Sequence, residues 1–170
     1  MDNNKKDAIW SFVSEMTEHL KNKGWAAEKA VWRHAFASQI CGDIKAWGLL
    51  QRDLPDALKG RGEYPSYEEK AVYMALSAFA ARENNAAGVS LGTFAARLGN
   101  KRDRFTRLEN SEDIDILWRN LKDFLRFVNP ECGIDYAKLA CDLYEWQCFG
   151  RTGIARRWER EYYNVDKLMS

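Results

Sequence analysis

Two side chains in this 170-residue sequence invite a catalytic reading: His34 and Cys41, seven residues apart. On one continuous helix that spacing shares a face, where an imidazole could activate a thiol. A surface or packed histidine explains His34 as well and outweighs that reading. The carboxylates are equally plain. Glu68 and Glu69 read as a helix start, and Glu112, Asp113 and Asp115 as a first turn, where the helix dipole favours negative charge. No carboxylate pair stands in the apolar setting that would tune an acid or base. Cysteines occur at 41, 132, 141 and 148 with no Cys-x-x-Cys pair, and the two histidines, His19 and His34, lie far from Cys132–Cys148 in sequence. No zinc set follows, and reduced, buried thiols are expected, with Cys141 and Cys148 both able to face the core of one helix. Neither G-x-x-x-x-G-K-[ST] nor G-x-G-x-x-G is present. The expectation is a protein without cofactor, metal or catalytic residues.

Charge is more informative. The formal net charge is only +1, yet bases and acids are sorted by segment. Between residues 97 and 107, Arg97, Lys101, Arg102, Arg104 and Arg107 face one acid, Asp103, for a local charge of +4. Between 151 and 160, Arg151, Arg156, Arg157 and Arg160 face Glu159, for a local charge of +3. Acids gather at 63–69 and 109–115. Arginines that converge on one groove can pair with phosphates and release counterions whatever the isoelectric point. The competing reading is a solvated surface with ordinary ion pairs.

These bases need a frame, and the frame reads as all-α. The chain is 46% hydrophobic and 30% charged, which excludes a disordered tail, and it has three prolines and no alternating β-branched run. It has no apolar run long enough to span a bilayer and no apolar signal core in "MDNNKKDAIW", so a cytoplasmic protein is expected. A helix is predicted over about 7–21, with Ile9, Phe12, Val13, Met16 and Leu20 on one stripe, and another over about 25–41 with Val31, Trp32, Ala35 and Phe36. A short segment holds Ile44, Trp47, Leu50 and Leu54, and "KGRGEYP" is a loop. Ser66 and Glu69 form a capping box for "YEEKAVYMALSAFAAR", whose middle is apolar nearly all round and marks the central buried helix. After the turn "ENNAAG", Ser90 caps a helix over 91–98 that Gly99 stops. Ser111 opens an amphipathic helix that Asn129-Pro130 ends, Asp135 caps one that stops near Gly150, and the last spans about 153–165. Eight or nine helices would form two small stacked bundles, residues 1–87 and 88–170, or one compact unit.

At "AVYMALSAFAAR…GVSLGTFAARLGNKRDRFTRL" the sequence resembles the small subunit of the type I-E CRISPR Cascade complex, the CasB family. The order is a buried Ala-rich helix, a turn, "SLG" opening a small-residue helix, then an Arg-rich step with Phe. "LWRNLKDFLRFV" resembles the family's next helix and "IDYAKLACDLYEW" its Asp-aromatic helix, after which bases return; "AEKAVWRHAF" fits more loosely. The resemblance covers about 60–166, with weaker support over 7–55. It implies a non-enzymatic, all-helical subunit of two small bundles, paired head-to-tail with a second copy beside the backbone and large subunits. Its basic faces would line the path of target DNA and the guide RNA–DNA hybrid, hold the displaced strand and support the R-loop.

Carried onto this chain, the resemblance assigns DNA contacts to Lys101, Arg102, Arg104 and Arg107, to Lys122 and Arg126, and to Arg151, Arg156 and Arg157. Arg160 joins them from its place one turn beyond Arg156 and Arg157. Departures are the short "ENNAAG" with Arg82 as its nearest base, Asp123 beside Lys122, and Glu109 close after Arg107. The alternative function is a protein-interaction scaffold whose basic patches meet acidic partner subunits. A helical hydrolase built on His34 and Cys41 is the third reading.

Overall fold

The computed structural model describes residues 3–165, and most of the expected caps set their helices. Nine α-helices run through the described residues: α1 Asn3–Leu20, α2 Ala26–Ala35, α3 Ile44–Asp53, α4 Tyr67–Arg82, α5 Leu91–Leu98, α6 Arg102–Glu109, α7 Ile114–Leu125, α8 Tyr136–Phe149 and α9 Arg151–Tyr163. The predicted α4 and α5 match their observed bounds, because their N-caps are strong. Ser66 accepts from the Glu69 N–H while the Glu69 carboxylate accepts from the Ser66 N–H. Ser90 accepts from the Thr93 N–H, Asp135 from the Lys138 N–H, and Gly99 and Gly150 take the positive φ that ends α5 and α8. Residues 1–2 and 166–170, the outer ends of the expected bundles and of the resemblance, lie outside the described residues.

The boundaries of two expected helices are corrected. The second helix ends at Ala35 rather than near 41, because the Ser38 hydroxyl donates to the Ala35 carbonyl at 2.6 Å and the chain turns through Cys41 at φ 59°. The seventh opens on Asp113, which accepts from the Ile116 N–H, and not on Ser111. Ser111 is otherwise engaged: its hydroxyl reaches back to the Arg107 carbonyl and accepts from Asn120. That helix also stops at Leu125, short of Asn129. The basic segment 101–109 proves to be a helix of its own, α6.

Helix α4 is the axis of the core, buried on every side from Ala71 to Ala80. It packs against α2 and α8, and more lightly against α1, α3 and α7. Helix α8, from the expected C-terminal bundle, also lies along α1, and a single apolar cluster runs through elements on both sides of residue 87. Helix α5 is laid against α9 at Gly92, where a Cβ would run into the Trp158 carbonyl. The small-residue "SLG" start therefore permits close helix contact, and it fixes how α9 is presented. Phe105 of α6 is wholly buried and stacks on Phe124 of α7 and Tyr162 of α9, with ring centroids 5.8 and 5.7 Å apart.

All four cysteines are free, but only Cys141 is buried; Cys41, Cys132 and Cys148 are partly exposed, which corrects the expectation of buried thiols. No described helix is long and apolar enough to cross a membrane, and no group of three or more His, Cys, Asp or Glu side chains among the described residues is arranged to hold a metal.

Candidate nucleic-acid interface

The early end of α2 removes the proposed nucleophile pair. Cys41 no longer shares a helix with His34; His34 Nδ1 instead meets Asp43 Oδ2 at 2.7 Å. Burial, aided by the charge of Glu69, pushes the Cys41 thiol up to about 12, so it carries almost no thiolate at neutral pH. The shared helix face that the hydrolase reading needed is therefore not formed.

The ten predicted bases fall into distinct settings. Lys101, Arg104 and Arg126 surround one ring: the Lys101 ammonium lies 4.5 Å, Arg126 4.9 Å and Arg104 5.6 Å from the Phe127 centroid. Arg104 and Arg126 share the single carboxylate of Asp123, at 2.6 and 3.5 Å. Lys122 stands apart from this group. It donates to the Ser38 carbonyl at 3.2 Å, lies over Trp118, and is lowered in pKa by burial.

Arg102 and Arg157 are each engaged with acids of other helices. Arg102 pairs with Glu159, approaches Glu109 at 3.9 Å, and lies over Tyr162 at 4.7 Å, tying α6 to α9. Arg157 binds Asp142 at 3.0 Å and Glu145 at 2.6 Å, and Asp142 also accepts from the Trp158 indole at 2.9 Å. Lys6 of α1 pairs with the same Glu145. Burial pushes Asp142 up to about 6 despite these donors. The sequence contained this network only as Asp142 and Glu145 one helical step apart; the spacing shows no burial.

The remaining bases are open. Arg107, Arg156 and Arg160 are exposed and meet no carboxylate among the described residues, and Arg151 donates only to the Asn110 carbonyl. Arg151, Arg156 and Arg160 edge a cleft of about 510 Å³ between α6 and α9, with Thr106 and Asn110 opposite; Arg107 follows Thr106 on α6. The two basic segments, over forty residues apart in sequence, thus meet at one surface.

Two acids line the same cleft, and neither leaves a free charge there. Burial and the neighbouring Glu159 push Glu109 up to about 8, against the pull of Arg102. Burial also acts upward on Glu159, but its hydrogen bonds to Arg102 and Glu109 outweigh it and hold it below the usual range. Glu109 is therefore the member of the pair that favours the protonated form, while Glu159 is paired with Arg102. The sequence reading missed this carboxylate pair, whose members lie on different helices. What is left facing solvent is guanidinium, with hydroxyl and carbonyl groups between.

Residues 23–163 match the family model of CRISPR-associated protein Cse2. Among solved structures the fold is similar to CasB from Thermus thermophilus, at 23% identity and TM-score 0.74, covering 94% of this chain and 97% of that one. It is similar to CasB from Thermobifida fusca, at 21% identity and TM-score 0.68 with 94% and 97% coverage. It also matches a chain of a CRISPR RNA-guided surveillance complex, at 17% identity and TM-score 0.71 with 97% of each chain covered. Among curated proteins none matches. A family model spanning residues 23–163, joined to a fold shared over nearly the whole chain, places this protein in the Cse2 (CasB) family of CRISPR-associated proteins.

Proposed function

We propose that this chain is a non-catalytic small subunit of a type I-E Cascade complex that holds the backbone of the displaced non-target strand and so stabilises the R-loop. It works beside the backbone and large subunits and a second copy of itself placed head-to-tail, while guide pairing supplies sequence specificity. The observation that carries the reading is the cleft between α6 and α9. Arg151, Arg156 and Arg160 edge it without carboxylate partners, and Arg107 adjoins it. Unpaired guanidinium groups on a solvent face bind phosphate without reading bases.

The test is a chain with Arg107, Arg156 and Arg160 replaced by alanine, assembled into the complex. R-loop lifetime should fall, and its salt dependence should flatten by about 2 log units per log unit of salt, the sum of three single-strand phosphate contacts. Unchanged lifetime and unchanged salt slope would sink the reading. One observation favours the scaffold alternative for a different patch: Arg104 and Arg126 share the carboxylate of Asp123, and Lys101 joins them around Phe127, a cationic aromatic face suited to an acidic subunit. Loss of assembly on replacing Lys101 and Arg126, with R-loop lifetime intact in any complex formed, would assign that face to protein.

A further inference from the structure

A second cleft adjoins the first, and Arg151 lines both. It encloses about 310 Å³ between the start of α4 and the end of α8, with Tyr67, Lys70, Trp146 and Glu112 around it. That is near the lower end of small-molecule sites, roughly 300 Å³. Its aromatic character is unusual for the surface. Tyr67 is 51% exposed at the first turn of α4, although its neighbour Glu68 is buried. Its ring meets no other ring and its hydroxyl makes no hydrogen bond among the described residues. Gln147 of α8 donates to the Tyr67 carbonyl at 3.0 Å, which fixes the start of α4 beside the end of α8. Phe149, 65% exposed, stands in that last turn of α8. Trp146, which also lines the cleft, is buried. Gln147 Oε1 is left without a hydrogen-bond partner.

Charge is laid out unevenly along the two clefts. Around the first, the solvent-facing groups are arginines, and the acids are protonated or paired. Around the second, Glu112 and Asp113 oppose Lys70 and Arg151, and Asp113 is spent on capping α7. A phosphate is favoured in the first and not in the second. The second is lined instead by the aromatic side chains of Tyr67 and Trp146, which suit a neutral, flat group linked to that phosphate.

We propose that the Tyr67 cleft is a stacking site for one unpaired nucleobase of the strand whose phosphates lie on Arg151, Arg156 and Arg160. This rests on the strand-holding function above and gives it a second contact, to the base. Every base has a π-face, so the contact tolerates any sequence but requires a single strand. Duplex DNA keeps its bases stacked inside and cannot use it.

The experiment places 2-aminopurine at successive positions of the non-target strand in R-loops formed by the assembled complex. Stacking quenches its fluorescence. At one position the wild-type complex should be quenched, Tyr67→Leu should raise the signal about fivefold, and Tyr67→Phe, which keeps the ring, should leave it quenched. If no position differs between wild type and Tyr67→Leu, the proposal is overturned. It is also overturned if Tyr67→Leu alone fails to enter the complex while Tyr67→Phe enters normally, since the cleft then belongs to a partner subunit. The triple-alanine chain reads the phosphate contacts separately: strand retention unchanged there defeats the strand-holding function, whatever the base at Tyr67 does.

Discussion

The seam between α8 and α9 and the cleft between α6 and α9 are both built on arginines of one helix, and they use them in opposite ways. Arg157 turns inward onto Asp142 and Glu145, whose side chains are 2% and 4% exposed. Arg156, the next residue back, is exposed and meets no carboxylate among the described residues. Successive residues on a helix lie about 100° apart, so a run of bases divides between partner and solvent according to which face is covered. The lesson is that a cluster of charge in sequence measures neither binding nor stability; the burial of the facing acids separates the two.

The largest effect should come from breaking the seam. Arg157→Ala leaves two buried carboxylates without their main cation and should destabilise the chain by about 2–3 kcal/mol in chemical denaturation. That is below the full cost of orphaning a buried pair, because Arg157 is 40% exposed and Lys6 still faces Glu145. Next is Gly92→Ala, whose methyl has no space beneath the Trp158 carbonyl. Forcing α5 from α9 should cost about 2 kcal/mol and shift the cleft, read by denaturation and by R-loop lifetime together.

A smaller effect lies in pH. Glu109 binds its proton more tightly folded than unfolded, so the folded state loses stability as pH rises from 4.5 to about 8. Asp142 acts in the same direction between 3.8 and about 6, whereas Glu159, held low, loses its contribution only on acidification. Glu109→Gln should therefore flatten the decline between pH 6 and 8, where one proton gives a slope of at most about 1.4 kcal/mol per pH unit, and leave only the Asp142 contribution to the slope below pH 6. A slope in Glu109→Gln equal to wild type would show that the cleft acids are both ionised. The smallest stability change belongs to the open arginines. Arg107, Arg156 and Arg160 replaced together should move stability by no more than about 0.5 kcal/mol per site while shortening the R-loop lifetime. A large loss of stability there would erase the contrast with Arg157.

Much of the frame was legible because the signals are local. Ser66 with Glu69, Ser90 and Asp135 need only residues within one turn to act as caps, and glycines 99 and 150 stop their helices by backbone freedom alone. Where a hydroxyl had a competing partner the local signal misled: Ser38 ended α2 early, and Ser111 was drawn back to α6 while Asp113 took the cap. The segments that carry the candidate interface were legible as well, since the arginines of 97–107 and 151–160 are contiguous.

By itself the sequence determined an all-helical chain, its central buried helix and two basic segments, because these follow from periodicity, capping and charge within a few residues. Only the tertiary structure decided which arginines are free. That choice depends on acids brought in from other helices, Asp123 to Arg104, Glu159 to Arg102 and Asp142 to Arg157, and on burial that shifts the proton onto Glu109. Such pairings span from 15 to 57 residues, and no local rule contains them.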